Sequence, residues 1–78
     1  MPVKKEKVTE LQQLGINIRR LREAQEISRA QLAFEIDTTE KQLSRIENGE
    51  INSGIMSYVR IARVLNISIS DLFKRVKF

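Results

Sequence analysis

The segment 28–49, SRAQLAFEIDTTEKQLSRIENG, constrains the fold of this chain more than any other stretch. It contains two consecutive helix starts, in which a hydroxyl residue is followed three positions later by glutamine. Ser28 is followed by Gln31, and Thr39 is followed by Gln42. In each pair the hydroxyl accepts a hydrogen bond from a first-turn N–H while the glutamine reaches back to the cap. The segment therefore predicts two short helices, one directly after the other.

Apolar residues give each of these two helices a side to bury. Leu32, Ala33 and Ile36 form that side on the first helix, and Leu43 and Ile46 form it on the second. The Asp-Thr connection between them is too short for anything but direct angular packing. Two helices joined in this way make a helix-turn-helix motif.

The composition narrows the classes of function. Lys and Arg total 14 against 10 for Asp and Glu, and the net charge of +4 favours a polyanion as partner without requiring one. The chain contains neither Cys nor His, which excludes disulfides, zinc fingers, thiol catalysis and an imidazole base. It carries no metal or nucleotide motif, so no cofactor and no small-molecule substrate are expected. Without a membrane-length apolar run or a signal peptide, a soluble cytoplasmic protein is expected.

Regular apolar spacing predicts another helix on the N-terminal side of the pair. Thr9 and Gln12 repeat the capping pattern, and this helix is expected to fade near Gln25. Its apolar stripe, with a period near 3.6 residues, consists of Leu11, Leu14, Ile18 and Leu21. Gly15 within the helix costs about 1 kcal/mol relative to alanine, so we expect close backbone packing there.

Two further helices are predicted after Gly49, which is expected to end the third helix in the left-handed conformation. The fourth covers about 55–65 and stops at Asn66, in the same conformation. Its expected buried side consists of Ile55, Tyr58, Ala62 and Leu65. The fifth starts with a cap formed by Ser68 and Asp71. It is expected to continue through Leu72, Phe73 and Val76. The predicted fold is all-α, a compact five-helix bundle.

Four stretches of the chain, taken in order, resemble the Cro/repressor family of helix-turn-helix domains, the xenobiotic-response-element type. They are LGINIRRLREAQEIS, QLA, LSRIENG and IARVLNISISDLF, and they cover about Leu14 to Phe73. The resemblance implies a lambda-repressor-like domain, usually a homodimer, in which the second helix braces the third against duplex DNA. It also implies a minimal transcriptional regulator similar to phage repressors or restriction–modification controllers.

The chain departs from the family pattern at four places. Asp37 replaces the usual glycine of the turn, although Asp tolerates positive φ better than most residues. Arg29 replaces a frequent glutamine at the start of the second helix. The pair Ser53-Gly54 replaces a Pro-Ser-like start of the fourth helix, and Asn66 replaces another glycine. Of these changes, Arg29 alters the chemistry of an expected DNA contact.

The predicted domain organisation follows from these boundaries. The DNA-binding domain covers 9–73, with the helix-turn-helix at about 28–48. Residues 1–8 form a flexible basic arm, whose lysines either touch phosphate or are simply solvated. Residues 74–78 form a basic tail that either extends the last helix or pairs as a short strand.

The third helix, about 39–48, is the expected recognition helix. Its outward side chains, expected to contact bases in the major groove, are Glu40, Lys41, Ser44 and Arg45. Arg45 matches guanine O6 and N7 with a two-pronged fork. Glu40 is repelled by DNA unless it accepts from cytosine N4 or pairs with a neighbouring cation. The alternative interpretation is an ordinary charged helix face.

Phosphate contacts are expected from helix starts and flanking polar groups, because free N–H groups there attract anions. The candidates are Arg29, Thr38, Thr39 and Asn48. Thr39 is equally well explained as a cap alone, and Asn48 as a helix terminator. By contrast, the family resemblance implies that Arg22 and Glu47, the glutamate of the IENG ending, form a partly buried ion pair that joins the first helix to the third. Their predicted role is architectural.

The C-terminal part of the chain has more apolar residues than one small core requires. The expected dimer interface consists of Tyr58, Ile61, Val64, Ile69, Phe73 and Val76. The alternative is a core with a frayed tail. A dimer would place two recognition helices in successive major grooves of a palindromic operator, roughly 34 Å apart.

The leading hypothesis is therefore a sequence-specific regulator that binds double-stranded DNA and is not an enzyme. A protein-interaction module, such as an antitoxin or an adaptor with the same fold, is the alternative. Neither the operator nor the sign of regulation follows from the sequence.

Overall fold

The structure, a computed structural model, describes residues 8–77. This part of the chain contains five helices. They are α1 (Glu10–Ala24), α2 (Arg29–Glu35), α3 (Glu40–Glu47), α4 (Ile55–Val64) and α5 (Ile69–Leu72). No strand occurs among the described residues, and the predicted all-α fold is confirmed. Of the predicted basic arm and tail, residues 1–7 and Phe78 lie outside the described residues.

Side-chain caps start four of the helices where the sequence predicts them. Thr9 and Gln12 form a complete capping box, with each side chain accepting from the other residue's N–H at 3.1 and 3.0 Å. The remaining hydroxyl caps, each accepting at 3.0 Å from the N–H three residues on, are Ser28, Thr39 and Ser68. The expectation that Gln31 and Gln42 reach back to these caps is wrong, because the structure shows neither return bond within residues 8–77. The side chain of Gln31 instead donates to Glu35 at 2.9 Å, within α2.

Left-handed residues end the helices and turn the chain. Gly49 and Asn66, both predicted in this conformation, have φ of 71° and 56°. Asp37, in the turn between α2 and α3, has φ of 60°. Glu26, at the end of α1, also adopts positive φ and was not predicted, because glutamate carries no propensity for this conformation. Each of these residues directly follows the C-cap of a helix, where a left-handed conformation ends the helix.

The core lies between all five helices. Its buried apolar residues are Leu14, Ile18, Leu32, Ala33, Ile36, Leu43, Ile46, Tyr58, Ile61, Ala62, Leu65 and Leu72. The prediction that Ile55 is buried is wrong, because this first residue of α4 is 59% exposed. Phe34 on α2 is 78% exposed, since it lies opposite the side formed by Leu32 and Ile36.

Two residues of the predicted dimer interface belong instead to the core of a single chain. Tyr58 is 4% exposed and Ile61 is fully buried, so neither has surface left for a second copy. The predicted interface role of these two residues is therefore wrong. Val64, Phe73 and Val76 are partly buried against the core, and Phe73 packs edge-on against Tyr58 with ring centroids 5.9 Å apart. Ile69 is exposed.

The last helix is shorter than the sequence suggests. It ends at Leu72, and the chain continues as a turn in which Arg75 has φ of 66°. The expectation that α5 continues through Val76 is wrong. Asn17 of α1 fixes this turn instead, because its amide donates to the carbonyl oxygens of Leu72 and Lys74 at 2.9 and 2.7 Å.

Close contact between α1 and α3 explains the glycine in the middle of α1. A Cβ on Gly15 would overlap the backbone carbonyl group of Glu47 and lie 2.7 Å from the carbonyl oxygen of Ile46. The expectation of close backbone packing is confirmed. This contact fixes where α3 lies relative to α1.

Candidate nucleic-acid interface

The turn between α2 and α3 sets the angle at which α3 leaves the core. Thr38 N–H donates to the carbonyl of Ala33 at 2.8 Å, and Asp37 N–H donates to that of Phe34 at 3.1 Å. These bonds satisfy carbonyl groups at the end of α2 within the turn itself. Because the turn is compact, α3 begins directly after it, with Thr39 as its N-cap.

Helix α3 divides cleanly into a buried and an exposed side. Leu43 and Ile46 are buried against the rest of the bundle. The predicted base-contacting residues lie on the other side: Glu40, Lys41 and Arg45 are exposed, and Ser44 is half-buried. The structure therefore brings all four onto one accessible flank of a single helix.

Glu50 borders this flank and was not singled out by the sequence. Its carboxylate lies 3.9 Å from Arg45 Nε and accepts from Asn48 Nδ2 at 3.3 Å. Both members of the Arg45–Glu50 pair are about half exposed, so the pair adds little to stability. It keeps a carboxylate beside two of the predicted contact residues.

The predicted phosphate-contacting residues surround the same flank along the chain. Thr39 is exposed, but its hydroxyl caps α3. Thr38 is half-buried in the turn, and Asn48 is exposed at the end of α3. Arg29 is half-buried at the first position of α2.

Arg22 and Glu47 are brought together as a buried ion pair. Arg22 Nε donates to Glu47 Oε2 at 2.7 Å, and Arg22 Nη2 donates to Oε1 at 3.1 Å. The remaining Nη1 donates to the carbonyl of Ile27 at 2.9 Å. The hydrogen bond to Glu47 raises the pKa of Arg22, although burial acts in the opposite direction. This two-pronged pair holds the end of α3 to α1.

The guanidinium group of Arg29 joins this ion pair, an addition that the sequence did not predict. Arg29 Nε donates to Glu47 Oε1 at 3.3 Å, so one carboxylate serves two guanidinium groups. The only signal in the sequence was the arginine where the family usually has glutamine. Spacing alone does not show that Glu47, 18 residues further on, reaches the start of α2.

Neither a metal site nor a membrane span is found among residues 8–77. No group of acidic side chains there is arranged to hold a metal ion. No described helix is both long and apolar enough to cross a bilayer.

Residues 18–72 match the family model described as helix-turn-helix, of the Cro/C1 type. That match covers more than half of the chain, and the chain belongs to this helix-turn-helix family. The resemblance inferred from the sequence is confirmed, as is the fold of DNA-binding transcriptional regulators. No curated protein sequence gives a significant match.

Two solved structures of regulators share this fold over most of their length. The restriction-modification controller protein C.AhdI from Aeromonas hydrophila is 27% identical, with a TM-score of 0.77, over 81% of this chain and 96% of that one. The clp gene regulator ClgR from C. glutamicum is 20% identical, with a TM-score of 0.86, over 90% of each chain. Because the sequence identity with ClgR is low, the likeness to that protein is a likeness of fold alone.

An enzyme also contains a domain of this shape. The hydroxypropylphosphonic acid epoxidase from S. wedmorenis is 28% identical, with a TM-score of 0.76, over 85% of this chain. The match covers only 35% of the epoxidase chain. The likeness is therefore confined to a part of that enzyme.

Proposed function

We propose that this protein is a small transcriptional regulator that binds double-stranded DNA sequence-specifically and acts by binding alone, without catalysis. The observation that carries the proposal is the exposed polar flank of α3. Its opposite side, Leu43 and Ile46, is anchored in the core, so the flank is rigidly presented. A helix so presented fits the major groove of B-DNA. A DNA partner would place the protein in the cytoplasm.

Each side chain on the flank has a chemistry suited to a base edge. The Arg45 guanidinium matches guanine O6 and N7 with two parallel N–H bonds. Lys41 suits the same acceptors as a less directional charge. Glu40, in the first turn of α3, accepts from the cytosine N4 amino group, and Ser44 adapts to either a donor or an acceptor.

Residues around the flank are proposed to grip the phosphates. Arg29 contributes a partly exposed charge at the start of α2, while Asn48 contributes an amide at the end of α3. Thr38 and Thr39 lie between Arg29 and Asn48 in the chain, and they contribute their hydroxyl groups. Phosphate contacts of this kind fix the register of the protein on DNA without reading sequence.

We also infer that the protein acts as a homodimer on a palindromic operator. Exposed apolar side chains on α4 and α5 support this inference, because Ile55, Met56 and Ile69 are all exposed in the single chain. Analytical ultracentrifugation is expected to give twice the 9.1 kDa chain mass. A single-chain mass at micromolar concentration, with DNA absent, would contradict the inference.

Selection of bound sequences from a random duplex pool tests the function as a whole. The expected result is an enriched palindrome with half-sites roughly 34 Å apart between centres. Affinity for the selected duplex should fall steeply with salt, with a slope of about 0.9 in log K against log [salt] per phosphate contact. No duplex affinity even at low salt would refute the proposal and favour a protein partner.

Single substitutions on the flank test the assignment of base contacts. Arg45→Ala and Lys41→Ala should each weaken specific binding by about tenfold to a hundredfold and relax preference at one base position. Arg63→Ala is the matched control, because it removes the same charge from the exposed side of α4. Equal losses for all three variants would show that net charge, and not this flank, determines binding.

A further inference from the structure

Glu47 holds two guanidinium groups with one carboxylate. Its side chain is 1% exposed, and its Oε2 accepts one N–H from Arg22. Its Oε1 accepts two, from Arg22 Nη2 at 3.1 Å and from Arg29 Nε at 3.3 Å. The bidentate bond to Arg22 already gives each oxygen of the buried carboxylate a charged donor. The bond to Arg29 is a third charge-assisted contact, made from the start of α2.

The network of Arg22, Arg29 and Glu47 has an excess positive charge, and the exposure of its side chains shows which residue presents that charge to solvent. One carboxylate faces two cations, which leaves a net charge of +1. The side chain of Arg22 is 7% exposed, whereas that of Arg29 is 34% exposed. The surplus positive charge is therefore presented to solvent by Arg29, at the start of α2.

The hydrogen bonds of Arg29 also determine which of its donors face outward. Nε is used by Glu47. Within residues 8–77, the two Nη atoms of Arg29 donate to no other group, so up to four N–H bonds stay available. A planar guanidinium held at Nε has its rotation restricted, and its outer edge points in a fixed direction. That edge matches two oxygens of one phosphate.

We propose that Glu47 is a positioning residue that holds Arg29 ready for a DNA phosphate before DNA arrives. This inference rests on the proposed DNA-binding function and deepens it. Ordering a long side chain normally opposes binding. Because the fold has already ordered Arg29, the gain in affinity should be about threefold to tenfold. The buried end of α3 thus assists a contact made by α2.

Substitutions at Arg29 test the proposal without removing the Arg22–Glu47 bond. Arg29→Lys keeps the charge but lacks the planar fork, so it cannot bond Glu47 and a phosphate in the same geometry. We expect it to lower affinity for the selected duplex about threefold to tenfold with the salt slope unchanged. Arg29→Gln should lower the affinity further and reduce the slope by about 0.9. Wild-type affinity in Arg29→Lys would overturn the proposal.

A double-mutant cycle separates positioning from a general effect on the fold. Glu47→Gln is measured in the wild-type protein and in the Arg29→Gln variant, at a temperature well below the melting point of each protein. The expected loss is about threefold to tenfold with Arg29 present and less than about twofold in the Arg29→Gln variant. Equal losses in both backgrounds would show that Glu47 acts through the fold alone and overturn the proposal.

The free protein provides a readout that does not depend on DNA. In ¹H–¹⁵N spectra, Arg29 Nε–H should exchange slowly with water in the wild type and rapidly in Glu47→Gln. Rapid exchange in the wild type would overturn the positioning role even if DNA binds. Slow exchange in a protein with no DNA affinity would instead overturn the proposed function, and this inference with it.

Discussion

Replacing Gly15 with alanine separates two effects of opposite sign. Helix propensity alone predicts that Gly15→Ala stabilises α1 by about 1 kcal/mol. The new Cβ, however, would overlap the carbonyl group of Glu47 and crowd that of Ile46. Both obstacles are backbone atoms, which cannot rotate away as a flexible side chain does.

The structure therefore predicts net destabilisation. Overpacking costs about 1–3 kcal/mol, and a contact with backbone lies near the upper end of that range. After the propensity gain is subtracted, the free energy of unfolding should fall by about 2 kcal/mol. For a domain of this size the melting temperature should drop by about 8–16 °C.

Urea and thermal unfolding followed by circular dichroism measure this change. Ala24→Gly, at the exposed end of α1, calibrates the propensity effect on the same helix, and it should cost at most about 1 kcal/mol. An increase in the melting temperature of Gly15→Ala would refute the close approach of α1 and α3.

Two further substitutions, and one control, test other contacts in the bundle. Glu47→Ala leaves Arg22 charged and buried without its partner, so unfolding free energy should fall by about 3–5 kcal/mol in denaturant titrations. The control Arg19→Ala breaks the exposed pair with Glu23 and should change the free energy of unfolding by no more than about 0.5 kcal/mol. Similar losses for Glu47→Ala and Arg19→Ala would contradict the burial of the Arg22–Glu47 pair. Asn17→Ala removes two bonds to the C-terminal turn and should cost about 1–2 kcal/mol. Hydrogen exchange in that turn should accelerate, and unchanged protection would count against the tie.

Local chemistry explains which parts of the fold the sequence revealed. The caps at Thr9 and Thr39, and the left-handed Gly49, depend on residues within one helical turn, and the sequence predicted them correctly. The end of α5 depends on distant contacts. Asn17, more than 50 positions earlier, binds the carbonyls that follow Leu72, and no local pattern encodes that tie.

The candidate site shows the same division. The exposed flank of α3 follows from helical periodicity, so the positions of Lys41 and Arg45 were predictable. The bond from Arg29 to Glu47 joins two helices across the core, and only the folded chain reveals it. Exposure of Ile55 was also missed, because apolar spacing does not show where the neighbouring helices end. Which bases or phosphates these residues meet stays a prediction.

The bonds from Asn17 to the turn after Leu72 bear on how this chain folds during synthesis. Leu72 is fully buried, and its carbonyl accepts from a side chain near the opposite end of the sequence. While α5 of a nascent chain is still inside the ribosomal tunnel, the core lacks the side chain of Leu72. Asn17 of α1 also lacks the carbonyl oxygens that accept its hydrogen bonds. The cooperative transition should therefore occur only after α5 has emerged, and until then the helices are accessible to chaperones and proteases.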